Sequence, residues 1–194
     1  MTNKTSRAQQ ILEALARQLE THPGQKITTA SLAKEVGVSE AALYRHFPSK
    51  TRMFESLIEF IEDSVFGLIN QILEENSSAV SRCSNILTMI LGFSERNPGL
   101  TCILAGDALT GENERLRIRI SQFYDRLETQ LKQVLREAES KNELPVGHPS
   151  TSIANLFTVL VEGRMNQYVR SGFRASPLEH WDQQWELLSQ NIFH

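Results

Sequence analysis

Along this chain, apolar residues recur at helical rather than strand spacing. The first such stretch, about 7–20, aligns Ile11, Leu12, Leu15 and Leu19 on one face, with Ser6 and Gln9 placed to form a capping box. His22, Pro23 and Gly24 break it. A second short helix begins near Thr29, turns Leu32, Ala33 and Val36 inward, and stops at Gly37, where a left-handed backbone suits a tight turn. Ser39 is an N-cap for a third helix that reaches about His46. After Pro48 and Ser49 a long helix runs to about Asn70 or beyond, carrying Met53, Phe54, Leu57, Ile58, Ile61, Val65, Leu68, Ile69 and Ile72. That row is too dense for one narrow stripe, so the helix has apolar contacts on more than one side.

Ser77 and Ser78 mark a loop, and a helix containing Ile86, Leu87, Ile90, Leu91 and Phe93 then runs to Asn97, where Pro98 and Gly99 end it. A short apolar helix over about 100–109 precedes a longer charged one over about 113–139. Residues 142–149 read as a loop, and the last two helices are expected over about 150–171 and 177–193. No alternating strand pattern of useful length, internal repeat or low-complexity tract interrupts this series. The expected fold is therefore all-α with about nine helices: an N-terminal three-helix helix-turn-helix domain over 1–52 and a helical dimerisation and regulatory domain over 53–194.

Charge distinguishes the two parts. Through Arg52, eight Lys and Arg oppose four Glu, a balance of +4; with the whole chain at −3, the remainder carries −7. A basic head on an acidic body suits a protein of which one part meets phosphate and the other does not. The first twenty residues lack a secretory signal pattern, and no apolar run is long enough to span a bilayer, so a cytoplasmic protein is expected. Cys83 and Cys102 fall within apolar helical patterns, where a thiol behaves as a small hydrophobe. His22, His46, His148, His180 and His194 share no metal-ligand spacing, and neither a phosphate-binding Gly-rich loop nor a nucleophile elbow is present. The sequence thus calls for no cofactor, no metal and no enzymatic chemistry.

The chemistry sits in residues 28–47, which have helix-turn-helix grammar: Ala33 is small where two helices cross, Gly37 makes the turn, and Val38 and Leu43 pack the second helix on the first. One face of that second helix is left to enter a major groove. Ser39, Ala41, Ala42 and Tyr44 lie toward its N-terminal end, where small side chains permit close approach and an alanine methyl meets a thymine methyl. Thr28, Thr29, Tyr44, His46 and Lys50 are expected to donate to phosphate, supported by the amides at the helix starts near Thr29 and Ser49, and Arg45 is expected among the DNA-binding residues.

The run Leu43, Tyr44, Arg45, His46, Phe47, Pro48, Ser49, Lys50, following the Gly37 turn, resembles the signature that closes the DNA-binding domain of the TetR family. The resemblance implies phosphate contacts for Tyr44 and Lys50, and a homodimer joined through a four-helix bundle. A further resemblance, carried by 27–52, 57–63 and 95–101, is to the nucleoid-occlusion branch of that family. It implies binding to palindromic double-stranded DNA on the nucleoid and engagement of the division protein FtsZ through its C-terminal tail, antagonising Z-ring assembly. Higher-order assembly on DNA is a further option.

Two surfaces are nominated for partners. Leu178, Trp181, Trp185, Leu188 and Ile192 recur at three- and four-residue spacing, and the neighbouring helix offers Ile153, Leu156, Phe157, Leu160, Val161 and Met165. From these, Ile153, Phe157, Leu160, Trp181, Trp185 and Leu188 are the expected dimer face. Phe60, Leu68, Gly92, Arg96 and Asn97 are the expected docking patch, with Arg96 and Asn97 presenting donors at a helix end. The competing reading is a repressor of the same family, released from DNA by a small molecule held in the body; the large side chains of Phe123, Phe157 and Met165 weigh against a roomy pocket there.

Overall fold

The computed structural model describes residues 6–144, 147 and 149–193; His148 and His194, named above among the histidines, lie outside the described residues. Among the described residues there are nine α-helices, one 3-10 turn and no strand. In chain order the helices are α1 (Arg7–Thr21), α2 (Thr29–Val36), α3 (Glu40–His46), α4 (Lys50–Glu75), α5 (Ala79–Arg96), α6 (Pro98–Leu104), α7 (Glu114–Ser140), α8 (Ser150–Arg170) and α9 (Trp181–Ile192). The chain divides into two compact units. One runs up to Ile61 and takes in 97–120; the other comprises 62–96 and everything from Ser121 onward.

In the first unit, the Ser6 hydroxyl accepts the Gln9 amide and starts α1, while the Gln9 side chain donates onward to Glu13. Ile11, Ala14, Leu15 and Leu19 are buried, and α1 packs on α2, α3 and α6. The approach of α6 is very close: a Cβ on Gly99 would lie 2.0 Å from the Ala16 carbonyl oxygen, so this crossing requires glycine. The sequence reading treats Pro98 and Gly99 only as the end of the preceding helix. They also begin α6, two residues before the expected start, because proline at the first helical position forgoes an N–H that has no intrahelical partner there. α6 ends at Leu104 rather than about 109; Gly106, at φ +79°, turns the chain into the 3-10 turn Asp107–Leu109.

The second unit is built around α5, whose Ile86, Leu87, Ile90, Leu91 and Phe93 are buried, and which packs on α8 and α9. Phe66 meets Phe123 with ring centroids 5.3 Å apart, and the Arg126 guanidinium covers Phe66 at 3.7 Å. α9 starts at Trp181, four residues later than periodicity suggests. Residues 177–180 form turns, ending at His180 in the left-handed region at φ +58°. Arg164 of α8 explains this: it donates to the Pro177 carbonyl at 2.6 Å, to the Glu179 carbonyl and to the Gln184 side chain. Leu178 is therefore not part of a continuous helical seam.

Candidate nucleic-acid interface

α2 and α3 are short, and α3 has only seven residues. An isolated helix needs on the order of 12 to 15 residues to be even marginal in water, so this one is held by caps and packing. The Thr28 hydroxyl accepts from Ser31 N at 3.1 Å and starts α2. Gly37 ends it at φ 72°, ψ 39°, its N–H reaching the Lys34 carbonyl while Val38 N donates to Ala33 O at 2.9 Å. Ser39 then accepts from Ala42 N and starts α3. Ala33 and Leu43 are buried beneath this hairpin, which fixes which face of α3 points outward.

On that outward face Ser39, Ala41, Tyr44, Arg45 and His46 are exposed, and Ala42 is half-buried. Tyr44 is 43 % exposed, unusual for a large aromatic ring. Thr28 keeps its hydroxyl proton, because its cap uses only a lone pair. Thr29 differs: its one hydroxyl proton goes to Glu40 Oε2 at 2.6 Å, and its oxygen accepts from Tyr44 OH at 3.5 Å. Thr29 therefore donates to phosphate only by releasing Glu40. The structure thus joins α2 to the outward side of α3 through Thr29, Glu40 and Tyr44, and leaves Lys34 and Arg45 exposed.

Lys50 lies apart from that surface in its contacts. Its ammonium is 2.5 Å from Glu112, with side-chain exposures of 18 % and 13 %, and it sits 5.6 Å from the Phe54 ring centroid. Sequence reading missed Glu112 because the pair spans 62 residues and no local pattern signals it. Arg52, counted with the basic head, is committed to Glu55 and Glu59; those hydrogen bonds push its guanidinium above its ordinary range. Both thiols are buried, and loss of hydration pushes each up to about 12, with Asp107 adding to the effect at Cys102. They are protonated at neutral pH.

The residues of the nominated dimer face differ in exposure. Ile153, Phe157 and Trp181 are buried within their own unit, and Trp181 Nε1 donates to Thr88 Oγ1 at 2.7 Å, so these three support a surface from behind. Trp185 is half-buried against Phe157, with centroids 5.6 Å apart, and Leu160 and Leu188 are also half-buried. The apolar side chains that do reach outward are Leu156, Val159 and Leu187, at 47, 55 and 64 % exposure.

Of the docking residues, Phe60 and Leu68 stand exposed two turns apart on α4, at 54 and 39 %. In α5, Gly92 is buried and Arg96 exposed; a Cβ on Gly92 would meet Arg96 Nη1 at 3.4 Å, so the bare glycine lets the guanidinium lie along the helix. Asn97 is half-buried and caps α6, its carbonyl accepting from Thr101 N and Oγ1.

Residues 11–57 match the model of bacterial regulatory proteins of the tetR family, and residues 77–193 match the tetracyclin repressor-like C-terminal domain of SlmA-like type. A nucleoid occlusion factor SlmA from a Marinomonas species is 55 % identical over 193 residues, 99 % of this chain and 98 % of that protein. Its counterpart from Alteromonas mediterranea is 56 % identical, covering 96 % of each chain, and that of Shewanella amazonensis is 53 % identical over 97 and 96 %. Among solved structures, the MbdR regulator from Azoarcus superposes with a TM-score of 0.81 at 14 % identity, over 94 and 97 % of the two chains. The ketosteroid regulator KstR2 of Mycobacterium tuberculosis does so with 0.78 at 18 %, over 100 and 97 %. Such distant likeness speaks only to the fold, whereas near full-length identity above half speaks to lineage: the chain belongs to the SlmA family of nucleoid occlusion factors, on a TetR-type fold.

Proposed function

We propose that this chain carries out nucleoid occlusion by reading palindromic double-stranded DNA through α2 and α3 and, from those sites on the nucleoid, engaging the C-terminal tail of FtsZ. The observation that carries the reading is the outward face of α3, where small side chains are bordered by the exposed Tyr44, Arg45 and His46. Small residues let a helix sit deep in a major groove, and the basic and hydroxyl-bearing rim sets its register on phosphate. In this reading residues 1–52 read DNA, 53–194 dimerise and dock the partner, and a homodimer formed through Leu156, Val159 and Leu187 presents two copies of α3 to two half-sites. Phe60 and Leu68 supply apolar anchors for the tail, and Arg96 a donor for backbone or carboxylate.

Fluorescence anisotropy tests both steps. The protein should select specific duplexes in the presence of competitor DNA, and Tyr44→Ala should weaken that binding across sequences. A labelled FtsZ tail peptide should bind more tightly once the selected duplex is present, and Phe60→Ala with Arg96→Ala should remove the gain. No tail binding with or without DNA, together with release from DNA by a metabolite, would place the chain with the inducible repressors.

A further inference from the structure

We infer that Glu40 reads a base: its carboxylate accepts a hydrogen bond from the exocyclic amino group of a cytosine in the major groove. Glu40 is the first residue of α3 and is exposed, with the exposed Ala41 and the half-buried Ala42 beside it. The N-terminal residues of a recognition helix are those that reach base edges, and neighbouring alanines do not hold the helix away from them. A carboxylate at that place faces a polyanion and is repelled by phosphate on either side. The groove relieves the repulsion where a base offers an amino donor. Cytosine N4 does so with no acceptor on its own edge, whereas adenine N6 stands beside the N7 lone pair, which repels a carboxylate.

The surrounding residues aim this carboxylate. Oε2 takes the Thr29 proton at 2.6 Å, and Thr29 is itself contacted by Tyr44 OH at 3.5 Å, a relay that joins α2 to both ends of the outward face of α3. Oε1 accepts no hydrogen bond among the described residues. An exposed side chain fixed by one oxygen, with the other not engaged, loses little rotamer freedom on meeting a base. The simpler role for Glu40, a negative charge at the positive end of α3, also holds, but it carries no sequence information.

The inference rests on the DNA-reading function proposed above, and selection from a random double-stranded library separates the two. The unmodified protein should enrich one C·G pair per half-site that Glu40→Gln no longer enriches, all other positions staying the same. Changing that pair should weaken the unmodified protein by roughly 5- to 100-fold and the Glu40→Gln protein hardly at all. Thr29→Val should blunt the same single preference, since it removes the group that aims Glu40. If Glu40→Gln binds every sequence more tightly by a common factor with its preferences intact, Glu40 only repels and the inference is wrong. If Thr29→Val leaves the preference whole while Glu40→Gln abolishes it, base reading stands and the aiming role falls. An unmodified protein with no sequence preference would overturn DNA reading itself.

Discussion

Lys50 has two partners inside the first unit, the Glu112 carboxylate at 2.5 Å and the face of Phe54. Its position in the motif implies a phosphate contact, so the two demands on one ammonium conflict. An exposed ion pair contributes at most about 1 kcal/mol, but this pair is largely shielded from water, and separating it without a replacement costs more. A DNA phosphate is such a replacement. The expected behaviour is exchange: Lys50 leaves Glu112 for phosphate in the complex. Glu112→Gln should then raise DNA affinity several-fold with an unchanged salt slope, while Lys50→Ala should lower affinity and make the slope shallower by about 0.9. Titrations at several salt concentrations measure both. A steeper slope in Glu112→Gln would mean that Lys50 stays with Glu112 in the native complex. The motif singles out Lys50 in the sequence, but nothing local signals its partner, 62 residues away.

Elements show the same division between local and distant causes. The first three helices were legible because Ser6, Gly37 and Ser39 act on backbone groups within three or four residues of themselves, while the Thr28 cap of α2 was found only in the structure. The start of α9 was not. Pro177 and the spacing of Leu178, Trp181 and Trp185 argue locally for a helix from 177, whereas Arg164, 13 residues earlier, draws the Pro177 and Glu179 carbonyls to itself. The base-reading candidate was missed for a related reason: Glu40 reads locally as a charge that counts against DNA, and only its bond to Thr29 on the preceding helix shows it to be held in place. Arg164 also faces Trp181 at 5.7 Å, so it fastens the start of α9 by charge and by ring contact. Replacing it with alanine leaves two carbonyls without their donor and should destabilise the second unit by about 2 to 4 kcal/mol. Denaturant unfolding followed by tryptophan emission checks this, since both tryptophans lie on α9. Arg164→Lys should recover only part of the loss, because an ammonium cannot reproduce the planar fork. A midpoint unchanged in Arg164→Ala would show that α9 is held by its apolar face alone.

At the scale of the whole molecule, the unresolved demand comes from the exposed Leu156, Val159 and Leu187 of α8 and α9. Three large aliphatic side chains on α8 and α9, 47 to 64 % exposed, are costly to leave in water, and fully burying each contributes about 1.5 to 3 kcal/mol. In the function proposed above, a second copy of the chain would supply a matching surface, and two-fold pairing would give a palindrome its two readers. The buried residues first nominated for this face separate stability from assembly. Phe157→Ala should cost about 3 to 5 kcal/mol in the unit's own folding, because that ring is wholly enclosed. Val159→Glu combined with Leu187→Arg should leave melting nearly unchanged, since both positions are mostly exposed, yet convert the sedimenting species from dimer to monomer. Specific binding to the palindrome should then fall to that of a single half-site, while weak nonspecific binding persists, because each head keeps its phosphate contacts. If the doubly substituted protein still sediments as a dimer, the pairing surface lies elsewhere on the molecule. If it is monomeric yet binds the palindrome as before, then DNA alone aligns the two heads, and the apolar face serves some other partner.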